Sequence, residues 1–287
     1  MEVGKLVVEK VLGKSTLTRC FSKYPLKFIS PNKVGPSQIT DAVWIYTITY
    51  GGGIVSGDSI AFEVAVGDGC TAVLTTQSST KVYKSVGSKC SQQKLEASIG
   101  CDSLLVLIPD PVTCFSTARY SQAQIFKLVP DSNLLFVDWI TSGRHESGEK
   151  WAFSHYKSSN SILLPGNEPV FLDTILLEQG SQSSISSRLH GYQAIAMIVL
   201  LGPKLKNIQN LIQENVKKLM SQQLHLPSIN SRRDFSKPSF LASCSTFGPK
   251  GIGVVVRVAS MTTESVYNFL QQQLASFEPL LGAAPYG

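Results

Sequence analysis

Short β-patterned stretches follow one another roughly every eight to twelve residues along most of this chain, punctuated by Gly, Pro and Asp turns. That cadence leaves a sandwich, a barrel or a β-solenoid, and the pattern alone does not separate the three. Gly4 to Val11 and Ser15 to Phe21 read as strands about a Gly13-Lys14 turn. Lys27 to Ser30 and Ala42 to Thr49 follow, with Pro36 and Gln38 in a loop between them. Ile60, Phe62, Val64 and Val66 alternate with Ala61, Glu63 and Ala65, the mark of a half-buried strand. Thr71 to Thr76 and Gln92 to Ile99 continue the series. Ser103 to Ile108 is apolar throughout, which predicts burial on both faces. Further strands are expected at Val112 to Phe115, Arg119 to Leu128, Leu134 to Thr141, Ala194 to Leu201 and Gly251 to Val258.

Helical spacing appears only late. Leu205, Ile208, Leu211, Ile212, Val216 and Leu219 recur at helical intervals after Gly202-Pro203. A second helix is expected from Thr262 to Phe277, with Thr262 or Thr263 as its cap. Ser231 to Pro238 reads as a basic, polar loop.

The chain has 287 residues and reads as one domain over 1–287. Charged residues make up 16%, below the usual ~25%. The net charge is +6, but the basic residues are scattered and not interleaved with aromatics, which argues against nucleic-acid binding. The longest apolar run, Ala194 to Leu201, is too short to span a bilayer, so no membrane partner is expected. Met1 to Lys10 carries charges and no signal-like apolar segment. The six cysteines form no C-x-x-C pair. They read as free, mostly buried thiols of a cytoplasmic protein.

The most unusual stretch runs from Tyr50 to Ser85. It opens with Gly51, Gly52 and Gly53, then Gly57 and Asp58, a concentration that calls for a special turn. It is not a dinucleotide loop: Ser56 replaces the last glycine, and a strand follows where a helix would be needed. Gly13-Lys14-Ser15 is not a P-loop, because Val8 stands where its first glycine would be. His145-Glu146 is followed by Glu149, so no H-E-x-x-H motif exists, and no G-x-S-x-G elbow occurs. A Cys/His pair assembled in space stays open. Trp44, Trp139 and Trp151 lie in or beside apolar strand patterns and are expected in the core. The residues by themselves nominate no enzyme. The alternative is a β-solenoid or sandwich enzyme, or a carbohydrate-binding module, with a groove of aromatics and paired carboxylates.

The stretch GGGIVSGDSIAFEVAVGDGCTAVLTTQSSTKVYKS resembles the hallmark region of the urease accessory proteins called UreD, or UreH. That family has a Gly-Gly-hydrophobic-x-Gly-Gly-Asp turn, a strand pair, and a Thr-Thr-Gln-x-x-Thr-Lys-x-Tyr segment. Gln77, Thr80, Lys81 and Tyr83 match position by position, and Ser56 stands in place of one glycine. IPDPVTCF, DWITSGR with its following Gly148-Glu149, and PVFLDTILLE are weaker echoes in the same order.

The resemblance implies an all-β-dominated, layered, β-helix or solenoid-like body of many strands, with about two α-helices toward the C-terminus. It implies a non-catalytic accessory role in urease maturation. The chain would form a scaffold with UreF and the GTPase UreG, bind apo-urease and help deliver nickel. Nickel(II) would be in transit, with no permanently bound cofactor and no fixed metal site. Nickel(II) accepts carboxylate, carbonyl and water ligands, so scattered acids suit a conduit better than a thiolate site. The candidate path residues are Asp58, Glu63, Asp173 and Glu178. Against them, Asp58 also fits turn chemistry and Glu63 a solvated strand face. Gly52, Gly53, Gly57, Gln77, Thr80, Lys81 and Tyr83 are expected in a structural hydrogen-bond network or a partner contact.

Overall fold

The computed structural model describes residues 3–31, 40–180, 183–224 and 237–287. The loop carrying Pro36 and Gln38, and residues 231–236 of the expected basic loop, lie outside them. The strands are β1 (Gly4–Val11), β2 (Lys14–Ser22), β3 (Leu26–Ile29), β4 (Ala42–Thr49), β5 (Ser59–Val66) and β6 (Thr71–Thr76). Then come β7 (Thr80–Val82), β8 (Ser91–Ile99), β9 (Leu104–Ile108), β10 (Val112–Cys114), β11 (Arg119–Leu128) and β12 (Asn133–Thr141). The rest are β13 (His155–Leu164), β14 (Glu168–Glu178), β15 (Ala194–Leu201), β16 (Phe240–Phe247) and β17 (Gly253–Ser260). The helices are α1 (Ile185–Arg188), α2 (Lys206–Leu224), α3 (Thr263–Leu274) and α4 (Glu278–Leu281).

From β4 onward the chain alternates between two sheets, laying each strand parallel to the one a turn earlier. β5, β8, β11 and β13 stack in parallel in the first sheet. β4, β6, β9 and β12 stack in parallel in the second. This is a β-solenoid of about four turns. It decides among the three architectures that strand spacing left open. Antiparallel strands close the ends. The first sheet runs β14-β13-β11-β8-β5-β1-β2, and the second continues from β12 through β15 and β17 to β16.

The solenoid has two cores. Between the sheets lie Ile60, Phe62, Val64 and Val66 of β5, as their alternation requires, with Leu134, Phe136 and Ile140 of β12. The far face of the second sheet supplies Val106, Leu135, Val137 and Trp139, covered by α2 and α3. β9 therefore has apolar packing on both faces and is buried at every position. Each fully buried Leu, Val or Phe contributes about 1.5–3 kcal/mol. Helix α3 starts at the expected cap: the Thr262 side chain accepts from the Ser265 amide.

Trp139 and Trp151 are buried, while Trp44 is half-buried and donates its indole N–H to the Leu281 carbonyl at 2.9 Å. The expectation for cysteine needs correcting. All six are free, but only Cys70 and Cys114 are buried; Cys20 and Cys101 are exposed and Cys90 and Cys244 half-buried. Cys20 lies on β2, an edge strand, and Cys101 in the turn after β8, where side chains face water. Among the described residues, no helix is long and apolar enough to cross a membrane.

Candidate functional site

The glycine-rich signature folds into a clamp. Tyr50–Gly52 makes a 3-10 turn in which Gly51 and Gly52 take positive φ. Ile54 donates to the Lys81 carbonyl at 2.8 Å and accepts from the Tyr83 amide at 3.0 Å, pairing the turn with β7. The Tyr83 hydroxyl donates to the Gly51 carbonyl at 3.0 Å. A Cβ on Gly53 would sit 2.6 Å from the Lys81 carbonyl oxygen and 2.8 Å from the Tyr83 ring. The Tyr83 ring meets Phe115 edge-on at 5.2 Å, and the Arg144 guanidinium lies 4.2 Å from the Phe115 ring centre. Arg144 in turn forks onto Glu149 at 3.1 and 2.6 Å, holding its carboxyl below the usual carboxylate range. The Lys81 side chain itself is exposed, as is Gln77.

The four acids considered from the sequence are not brought together. Asp58 uses its carboxylate to accept from the Val55 amide at 2.9 Å, closing the signature turn. Glu63 points to solvent and pairs with Lys5 at 2.7 Å. Glu178 also points outward, with Oε1 2.6 Å from His155 Nδ1. Strand alternation places Asp173 on the opposite face from Glu178, with Phe171, turned toward the inter-sheet core. Asp58 thus closes a turn, and Glu63 and Glu178 lie on the outer face, apart from Asp173.

What Asp173 faces was not legible as a site in the sequence. A band of polar side chains crosses the inter-sheet core. In the first sheet the ladder aligns Gln93 with Gln122 and Ser158, and the next inward rung aligns Gln124, Asn160 and Asp173. Opposite them, β12 contributes Asp138. The row across the second sheet runs from Asp138 through Met197 to Arg257.

Asp138 is 4% exposed. Its Oδ1 accepts from Gln122 Nε2 at 2.7 Å, and its Oδ2 from Asn160 Nδ2 at 2.7 Å and from the Ser158 hydroxyl. The Tyr120 hydroxyl donates to the side-chain carbonyl oxygens of Gln93 and Gln122, 3.1 and 3.2 Å away. Burial raises the Asp138 pKa, the neighbouring Asp173 carboxylate adds to the rise, and the three donors oppose it. Asp173 Oδ1 accepts from an Arg257 guanidinium nitrogen at 2.8 Å. Asn160 Oδ1 and Asp173 Oδ2 are buried and have no hydrogen-bond donor among the described residues. An unpaired buried polar atom costs about 1–3 kcal/mol, so two together mark a place where folding alone does not satisfy the chemistry.

A cavity of about 60 Å³ adjoins Asp138 and Gln122 and extends past Gln93 and Thr80 to Asp110. A solvent-open cleft of about 960 Å³ shares Thr76 and Asp110 with it. Asp110 Oδ1 accepts from the Tyr267 hydroxyl at 2.7 Å, so its carboxylate is anchored at this mouth. A smaller hollow of about 150 Å³ shares Thr80 and Gln93 and reaches Gly52 and Gln77 of the signature. The signature thus abuts one end of the polar band, and Asp173 with Arg257 lies at the other. Among the described residues, no three His, Cys, Asp or Glu side chains converge closely enough to hold a metal ion. Asp110 and Asp138 are the residues that sequence reasoning missed. The visible signal for Asp138 was an acid in the middle of the apolar run LLFVDWIT.

The family profile described as "UreD urease accessory protein" matches residues 3–286. The chain belongs to the UreD family of urease accessory proteins. It is 65% identical over 294 residues to urease accessory protein D of Arabidopsis thaliana, covering 100% of both chains. It is 57% identical to the Oryza sativa subsp. japonica protein of that name, over 99% of this chain and 94% of that one. Urease accessory protein UreD of Anaeromyxobacter sp. is 35% identical, over 99% of this chain and 88% of its own. Family membership ties the chain to urease maturation. The clamp of Gly53, Lys81 and Tyr83 gives the signature a structural reading: it holds the glycine turn against β7.

Proposed function

We propose that this chain is a non-catalytic scaffold of urease maturation that binds apo-urease and UreF, engages UreG through UreF, and passes nickel(II) along its polar band in the cytoplasm. The observation that carries the reading is the buried Asp138–Asn160–Asp173 cluster with its two oxygen acceptors left over. Oxygen ligands suit divalent cations, and nickel(II) takes carboxylate and carbonyl oxygens among its ligands. A conduit must hold its ion weakly enough to release it, which favours a few oxygens over a closed ligand cage. Asp110 at the cleft, Asp138 midway and Asp173 at the far edge form an ordered series of acids. Nickel is cargo here, not a resident cofactor.

The enzyme alternative has one geometry to weigh. Ser121 Oγ lies 3.2 Å from His155 Nε2, and His155 Nδ1 lies 2.6 Å from Glu178. Ser121 is, however, in mid-strand between β8 and β13, where backbone amides serve the parallel ladder. Amides engaged in that ladder are not free to act as oxyanion donors beside Ser121. For the carbohydrate-binding alternative, Trp139 and Trp151 are buried, and Trp44, which lines the open cleft, has its indole N–H tied to the Leu281 carbonyl.

The test replaces Asp138 and Asp173 separately by Asn. Each variant should still co-purify with UreF, while urease matured with it carries less nickel, by about tenfold or more for Asp138→Asn. Normal nickel content with both variants would reject the conduit.

A further inference from the structure

Arg257 differs from the other partners of the band. It is the only cation bonded to the cluster among the described residues, and it comes from the rim. Its side chain is 51% exposed, whereas that of Asp173 is 14% exposed. It reaches in from β17 across the open lateral edge of the sandwich, where β14 of the first sheet faces the second. An arginine fork commonly engages both oxygens of a carboxylate. Here one guanidinium nitrogen holds Oδ1, and Oδ2 stays buried and unpaired. One step along the ladder, Asn160 is wholly buried, bonded to Asp138 through Nδ2, with Oδ1 also unpaired. Asp173 and Asn160, partners across the β13–β14 ladder, thus each keep one buried oxygen unpaired, beside a guanidinium that holds only Oδ1 of Asp173.

A carboxylate turned into the core, as Asp173 is, calls for a positive partner or a proton. Arg257 supplies the positive charge, but from an exposed, long and flexible stem that can return to water at little loss. We propose that Arg257 is a tethered stand-in cation: it balances Asp173 while the band is unloaded, and a divalent ion displaces it on arrival. Loading is thereby coupled to freeing the lateral edge, and the returning guanidinium expels the ion. This gives the passage a release device that needs no change of backbone. It rests on the reading of the band as a cation path.

The experiment measures nickel(II) binding to the purified full chain by equilibrium dialysis, with thermal melting of each variant in parallel. Arg257→Gln and Arg257→Met remove the competing charge and should tighten binding about tenfold, while Asp173→Asn weakens it by a similar factor. Arg257→Lys should bind like the parent chain. Combining Arg257→Gln with Asp173→Asn should erase the gain. A merely structural ion pair would lower the melting temperature of the Gln and Met variants and leave affinity unchanged, overturning the proposal. If Asp173→Asn weakens binding while both Arg257 variants match the parent, Arg257 is no stand-in but the conduit stands. If Asp138→Asn and Asp173→Asn also bind like the parent, the conduit and this inference fall together.

Discussion

Asp58 and Asp138 are both aspartates in β-rich surroundings, yet their settings assign them opposite work. Asp58 sits half-buried in a turn and bonds a backbone amide three residues away. Asp138 sits in the core, and its partners are side chains from two other strands. Turn chemistry is local and could be read from Gly57-Asp58. The partners of Asp138 lie 16 to 22 residues away on the strands before and after it, in the facing sheet, so only the fold reveals them. Asp58→Ala should therefore cost about 1 kcal/mol of stability, the worth of one partly exposed hydrogen bond. Nickel content per folded complex should stay at the parent level. Denaturant unfolding and metal analysis of the same preparation check both parts.

At the scale of elements, β1, β4, β6 and β15 coincide residue for residue with their sequence expectations, and so does β11, where Tyr120, Phe126 and Leu128 mark the inner face despite Gln122 and Gln124 between them. β13 was not foreseen, and the reason is the site itself. Its inward positions include Ser158 and Asn160, so the alternation that would have revealed a strand is replaced by the polar band. β16 was missed for another reason: it is an edge strand of small and polar residues, FLASCSTF. The turn before β5 was legible as special, but not as a clamp on β7. Gly53→Ala tests that clamp. Its new methyl group meets a carbonyl oxygen and an aromatic ring that cannot both withdraw, so destabilisation of about 2 kcal/mol is expected. Hydrogen exchange should show earlier opening of Thr80–Val82 than of the neighbouring β6.

For the whole molecule, the polar band is a cost carried by an otherwise apolar interior. The solenoid stacks Ile, Leu, Val and Phe above and below it, and that packing tolerates a stripe that leaves two acceptors unpaired. The stripe has a consequence for stability against pH. Asp138 has a raised pKa in the folded chain, chiefly through burial. Its contribution to stability is fully present below the ordinary carboxylate pKa, where folded and unfolded forms are both protonated. It is lost as pH rises through the raised value, because the unfolded chain gives up its proton first. Each unit of such a shift corresponds to about 1.4 kcal/mol. Asp138→Asn removes the titration and keeps the shape. Its unfolding free energy should fall less than that of the parent as pH rises from about 4 through the neutral range. Urea unfolding at a series of pH values checks this. Parallel curves for parent and variant would show that Asp138 stays ionised in the fold, its three donors outweighing burial. A flatter curve for Asp138→Asn would mean that the empty band holds a proton at Asp138, which a divalent ion must displace on entry.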